Sequence, residues 1–163
     1  MSDSVQTEGA GGSGATGGGP GRLDTALAYM IHRTARLLRY HLLGFFRELG
    51  LDITPEQWFI LYRLYEQDGR SQSELTDRAI DDRANITRLV DSLEKRGFVV
   101  RNPDPDDRRR ALVTLTGEGR LLLGKVLPLV TLERDRLFGH LGEDEAALRR
   151  MLEDLQQRLP GAE

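Results

Sequence analysis

Residues 71–100 read Ser71-Gln-Ser-Glu-Leu-Thr-Asp-Arg-Ala-Ile-Asp-Asp-Arg-Ala-Asn-Ile-Thr-Arg-Leu-Val-Asp-Ser-Leu-Glu-Lys-Arg-Gly-Phe-Val-Val100. Ser71-Gln72-Ser73-Glu74 has the spacing of a capping box, in which two side chains satisfy backbone N–H groups that the first turn of a helix leaves open. A short helix is expected from Ser73 to about Ala79, with Leu75 and Ala79 facing inward. Ile80-Asp81-Asp82 supplies a turn. A second helix is expected from about Arg83 to Lys95, because Ile86, Val90 and Leu93 recur at helical spacing with Leu89 beside them. Gly97 ends it, since glycine takes the left-handed conformation that closes a helix.

Downstream the period changes from helical to extended. Phe98-Val99-Val100-Arg101 and Ala111-Leu112-Val113-Thr114-Leu115 read as two strands. The segment from Asn102 to Arg110 holds Pro103 and Pro105, which keep it out of a regular ladder. A small β-hairpin with a long charged tip results. Upstream, Thr54 is placed to cap a helix, Pro55 sits at its first position, and Gln57 can reach back to the cap. Ile53 and Trp58 have the spacing of a hydrophobic staple. That helix runs through Phe59, Leu61, Tyr62 and Leu64 and stops at Asp68-Gly69. Helix, short helix, turn, helix, hairpin is the order of a winged helix-turn-helix, assigned to residues 50–116.

Longer helices flank this unit. From Arg22 to about Leu49, the residues Leu23, Leu27, Met30, Thr34, Leu37, His41 and Phe45 recur at spacings of three and four, and Leu38, Leu42 and Phe46 widen the stripe. Such a helix is roughly 40 Å long, more than a small domain buries alone, so its broad apolar face points to a second chain. Thr116 caps a helix that continues through Leu121, Leu122, Val126, Leu129 and Leu132 to about Phe138, with Pro128 expected to kink it. Gly142-Glu143-Asp144-Glu145 opens a last helix, whose apolar face is Leu148, Met151, Leu152, Leu155 and Leu159; its acidic start suits the helix dipole. The fold class is mainly α with a small β-hairpin. Residues 22–49 and 117–159 are the expected dimerisation helices. Residues 1–21, rich in Gly, Ser, Thr and Ala, are expected to form a disordered arm, having too little apolar surface to offset the entropy of ordering.

Composition narrows the function. The chain has 163 residues, a net charge of -3 and a pI near 5.7. A protein that coats nucleic acid would be basic, so any such contact here is a local patch. Between Arg70 and Arg120 eleven basic residues face ten acidic ones, so placement matters more than total charge. The absence of cysteine excludes disulfides, thiolate zinc sites and cysteine redox switches. No apolar run approaches the roughly 20 residues that cross a bilayer, and the N-terminus lacks a signal-peptide pattern. A cytoplasmic location without membrane contact is expected. His32, His41 and His140 form no metal-spaced cluster with acids, and no nucleophile motif is present. Neither an enzyme nor a cofactor is expected.

The chemistry of the central unit points to double-stranded DNA. With Ile86, Val90 and Leu93 facing the core, Arg83, Ala84, Asn85, Thr87 and Arg88 lie on or beside the opposite face. Arginine can bridge guanine O6 and N7, and asparagine adenine N6 and N7. The first residues of a recognition helix are those that reach base edges. In the hairpin tip, Arg108, Arg109 and Arg110 stand among Asp104, Asp106 and Asp107. Arginine entering the minor groove reads its shape; the acids either brace an arginine or neutralise the patch. The competing reading is a protein-interaction module on the same fold that no longer binds DNA. The retained Arg83, Asn85 and Arg88 speak against it.

Ser-Glu-Leu-Thr (73–76), Arg-Ala-Asn-Ile-Thr-Arg-Leu-Val-Asp-Ser-Leu-Glu-Lys-Arg-Gly-Phe-Val (83–99), Asp-Pro-Asp-Asp-Arg-Arg (104–109) and Leu-Val-Thr-Leu-Thr-Gly-Glu-Gly (112–119) together resemble the MarR family of bacterial regulators. The resemblance covers about Arg22 to Leu159. It implies an obligate homodimer joined by first and last helices, and a pseudo-palindromic operator read by a helix in the major groove and a wing in the minor groove. It assigns DNA contacts to Arg83, Ala84, Asn85, Thr87 and Arg88, and matches the family's Asp-x-Arg wing motif to Asp107 as brace and Arg109 as the minor-groove residue. Arg108 and Arg110 are then candidates for phosphate contact. Family members respond to small, often aromatic or phenolic anions, and repression is their commoner action. Here His32 and Arg36, four apart and on one face, are the candidates to meet such an anion, with Trp58 and Tyr62 stacking on its ring.

Overall fold

The computed structural model describes Leu23 and residues 26–75, 83–107 and 109–159, with the backbone alone at residues 83 and 84. The expected arm, the Ile80-Asp81-Asp82 turn and Arg108 lie outside these residues. The elements are α1 (Leu27–Glu48), α2 (Pro55–Glu66), β1 (Arg70–Ser71), α3 (Gln72–Leu75), α4 (Arg83–Lys95), β2 (Val99–Pro103), β3 (Ala111–Leu115), α5 (Gly117–Phe138), a 3-10 turn (Gly139–Leu141) and α6 (Asp144–Arg158). Helix α1 begins at Leu27 rather than Arg22; at Leu23 the chain is in a 3-10 turn, and its carbonyl accepts the Ala26 N–H at 3.0 Å.

Helix α2 starts as its sequence dictates. The Thr54 hydroxyl accepts the Gln57 N–H at 3.2 Å, and the Gln57 side-chain oxygen accepts the Thr54 N–H at 3.0 Å. Ile53 and Trp58 are both buried beside this cap. At the other end Gly69, with φ +72°, turns the chain into β1. This short strand corrects the expected two-stranded hairpin. Arg70 and Ser71 pair with Val113 and Leu112, giving an antiparallel sheet in the order β1-β3-β2. Two residues carry no alternation to read, so only the folded chain reveals the strand. Strands β2 and β3 pair in register from Val99 with Leu115 to Pro103 with Ala111, so the ladder runs two residues past the expected Arg101 and takes in Pro103, which was expected to lie outside it.

The chain divides into two units between His41 and Leu42, inside α1. The reason lies in the second unit's core. Phe46 is fully buried there, and Leu42 and Phe45 pack against the same cluster. That core unites Ile60, Leu61 and Leu64 of α2, Ile86, Val90 and Leu93 of α4, Val99, Val113 and Leu115 of the sheet, and Leu123 and Val126 of α5. Burial of such side chains is the main stabilising term, about 1.5–3 kcal/mol for each large residue.

Helix α5 is capped by Thr116, whose hydroxyl accepts the Gly119 N–H at 3.0 Å and donates to the Gly97 carbonyl at 2.5 Å. Gly119 is needed for close approach: a Cβ there would overlap the Phe98 carbonyl oxygen. The helix continues through Pro128 as one element. Among the described residues no helix is long and apolar enough to cross a membrane.

Candidate nucleic-acid interface

Helix α4 is amphipathic in the way its spacing requires. Ile86, Val90 and Leu93 are at most 1% exposed, and Leu89 packs partly against them. On the other side Thr87 and Arg88 are exposed and Asn85 is half-buried. Arg83 and Ala84 form the first turn, their side chains lying outside the described structure. Arg88 borders a shallow groove of about 480 Å³ shared with Asp91, Ser92, Lys95 and Arg96. Thus α4 presents a polar strip that begins at its N-terminal turn, where recognition helices meet base edges.

Among the described residues, side-chain contacts from α2 and β2, and from Arg96 just past its end, hold α4 in place. The Gln57 amide donates to the Ser92 hydroxyl at 2.9 Å, joining α2 to α4. Arg101 of β2 donates to Asp91 at 2.6 Å and also pairs with Glu94. Its backbone N–H reaches Glu94 Oε1 at 3.0 Å. Arg96 donates to the Asp52 carbonyl and lies over the Phe98 ring, 5.0 Å from its centroid. Sequence reading left Arg101 out of the site. Its partners lie on another element, and nothing local marks it.

The wing tip is built from its own acids. Asp104 is buried, and its Oδ1 accepts the Asp106 N–H at 2.9 Å. Asp107 Oδ1 accepts the Arg109 N–H at 3.0 Å, so Asp107 braces the backbone of Arg109. The Arg109 side chain is exposed. Arg110 faces Glu74 at 3.8 Å and Asp104 at 3.9 Å. The Ser71 hydroxyl and N–H, both bonded to Glu74, hold that carboxyl below its ordinary value of 4.5, with smaller contributions from Arg110 and Arg70.

The four expected ligand residues fall into two separate units. In the first, His32 and Arg36 are exposed and line one concave face of α1, about 290 Å³, together with Tyr29, Arg33, Leu37 and Tyr40. Arg36 donates to the Tyr40 hydroxyl at 3.2 Å, and this bond, with the arginine's charge, lowers the phenol's pKa from its ordinary 10.0. Tyr40 was not among the expected residues, although its spacing from Arg36 matches that of Arg36 from His32. In the second unit Trp58 is a core residue, 5.6 Å from the Phe46 ring and 6.1 Å from Tyr62, while Tyr62 is 39% exposed. Among the described residues no group of three or more His, Asp and Glu is placed to hold a metal ion.

Comparison with known proteins agrees with this geometry. The model of the MarR family matches residues 53–111, from the cap of α2 to the end of the wing loop. The transcriptional repressor CouR, solved bound to a 23-mer DNA duplex, is 33% identical with a TM-score of 0.73 over 83% of this chain and 95% of that one. A probable transcriptional regulator from Pseudomonas aeruginosa is also 33% identical, with a TM-score of 0.68, covering 82% and 99% of the two chains. The transcriptional regulator HosA of Escherichia coli O111:H- is 29% identical over 72% of this chain and 86% of its own length.

Proposed function

This chain belongs to the MarR family and is a transcriptional regulator of that type, and from that premise we propose that it is a cytoplasmic homodimeric repressor of a pseudo-palindromic operator, released by a small aromatic or phenolic anion. The observation that carries the reading is the two-sided helix α4. Its apolar side is locked into the core by Ile86, Val90 and Leu93, and Thr87 and Arg88 are presented to solvent. In this reading Arg83, Ala84, Asn85, Thr87 and Arg88 meet the major groove, Arg109 enters the minor groove from the backbone braced by Asp107, and Arg108 touches phosphate. CouR, a repressor at 33% identity bound to a DNA duplex, supports the same docking and sign of action.

Pairing of two chains is supported by apolar residues left in solvent on the flanking helices. Leu27, Met30 and Leu37 of α1, Leu121 and Leu132 of α5, and Met151 and Leu159 at the α6 end are each at least 50% exposed. The His32 and Arg36 face carries the chemistry for an anionic group, and Tyr40 adds a phenol to it.

Titration against the upstream intergenic DNA of its own gene and against scrambled DNA, at two salt concentrations, tests the reading. Tight, preferential binding with a steep salt slope is expected. Arg88→Ala should erode the preference for the operator, and Arg109→Ala should weaken binding. Equal weak binding to both DNAs, with no enriched fragment in a genome-wide selection, would favour the interaction-module reading instead.

A further inference from the structure

The ladder between β1 and β3 pairs Arg70 with Val113 and Ser71 with Leu112. Arg110 immediately precedes β3 and α3 immediately follows Ser71 of β1, so the pairing brings Arg110 near the first turn of α3. There its Nη2 lies 3.8 Å from Glu74 Oε2, and its Nε lies 3.9 Å from Asp104 Oδ2. Neither carboxylate is loose. Glu74 is held by the Ser71 N–H at 2.7 Å and the Ser71 hydroxyl at 2.5 Å. Asp104 is buried in the wing, and its N–H donates to the Arg110 carbonyl at 3.0 Å. The Arg110 N–H in turn donates to the Asp107 carbonyl at 2.8 Å.

We propose that Arg110 is a positioning residue, a clasp that holds the base of the wing to α3, and not a phosphate contact like its neighbours in the arginine run. The inference rests on the DNA-binding reading above. A guanidinium facing two carboxylates adds little net attraction for phosphate, and reaching a phosphate would cost it both partners. Arg109 is the opposite case, its backbone fixed by Asp107 and its side chain in solvent. The run thus divides its work: Arg109 reads, Arg110 aims. Half-exposed pairs at these distances are weak one by one, so the clasp is worth roughly two- to fivefold in the population of the docked wing.

The test uses the full chain, with Arg110→Gln, Arg110→Lys, Glu74→Gln and Arg109→Ala. In the free protein, amide exchange of residues 104–110 should speed up two- to fivefold in Arg110→Gln and Glu74→Gln, and return toward wild type in Arg110→Lys. On operator DNA, Arg110→Gln and Glu74→Gln should both bind two- to fivefold more weakly, with a salt slope within half a unit of wild type, and Arg110→Lys should recover most of the affinity. A phosphate contact behaves differently in sign. Its loss lowers the slope by about one, and removing the competing Glu74 charge tightens binding. Either of those outcomes, or wild-type exchange in Arg110→Gln, overturns the clasp. Should the wild type bind no DNA, the DNA-binding reading fails, while the exchange measurement still judges the clasp.

Discussion

The guanidinium of Arg101 in β2 donates to Asp91 Oδ1 in α4 at 2.6 Å, tying the wing to the helix it must work beside. The same group pairs with Glu94, and the guanidinium, 24% exposed, is partly withdrawn from water while the Asp91 and Glu94 side chains remain more exposed. Charge-assisted bonds in such a setting exceed ordinary surface pairs. Arg101→Met keeps the aliphatic stem and removes the donors. It should lower stability by about 1–2 kcal/mol and weaken DNA binding. Unchanged urea unfolding would show that the cluster is solvated and idle.

The contact of Gly119 with the Phe98 carbonyl makes this one position in the first turn of α5 intolerant of any side chain. Gly119→Ala drives a methyl into that oxygen and should cost about 1–3 kcal/mol, the range for overpacking. At Gly124, also in α5, an added methyl would meet nothing within 4 Å. There Gly124→Ala should stabilise by roughly 0.5–1 kcal/mol through helix propensity. Thermal unfolding of both variants checks the pair; equal effects would mean that the Phe98 backbone yields.

Gln57 does more than complete a cap. It closes the capping box with Thr54 and donates to Ser92 of α4. Thr54→Ala should cost about 1 kcal/mol, as a lost N-cap does. Gln57→Ala should cost more, roughly 2 kcal/mol, because it also strips a buried polar link between α2 and α4. Denaturant titration that ranked Thr54→Ala as the worse variant would contradict the structure.

Acid should loosen the junction of α3 and the wing. The Glu74 carboxyl titrates below its ordinary 4.5 in the folded chain, chiefly because of Ser71. A depressed folded pKa means that the ionised form stabilises the fold at pH above 4.5. That contribution fades as pH falls from about the unfolded value through the folded one. The fall of stability with pH below 4.5 should therefore be shallower in Glu74→Gln. A steeper fall would reverse the assigned direction.

On α1, the Tyr40 phenol should ionise below 10.0, because Arg36 donates to it and favours phenolate. Absorbance titration of wild type against Tyr40→Phe isolates this phenol from the other tyrosines. Arg36→Gln should move it back up. An unchanged titration in Arg36→Gln would show that the two side chains do not meet in solution.

Much of this molecule could be read from short-range pattern. The stripe of Ile86, Val90 and Leu93 foretold the buried side of α4 and the exposure of Thr87 and Arg88, since helical period links side-chain direction directly to spacing. The caps at Thr54, Ser71 and Thr116 were equally legible, because each is closed within three residues. The family motifs pointed to the regulator as a class.

Other features required the folded chain. Strand β1 is too short to carry a period and exists only because β3 offers it partners. The sequence allowed Trp58 to be a staple residue or a ligand-stacking ring, and the fold buries it in the core beside Phe46 and Tyr62. Arg101 meets carboxylates of α4, and Arg110 meets Glu74 of α3 besides Asp104 of its own loop, pairings across elements that no local spacing announces. Sequence by itself determined the type of the long helices and of the two hairpin strands, and the buried face of α4, because propensity, capping and periodicity act over a few residues. Tertiary structure alone decided which charges meet, because that depends on how strands and helices bring distant side chains within a few ångströms, where Coulomb attraction outweighs solvent screening.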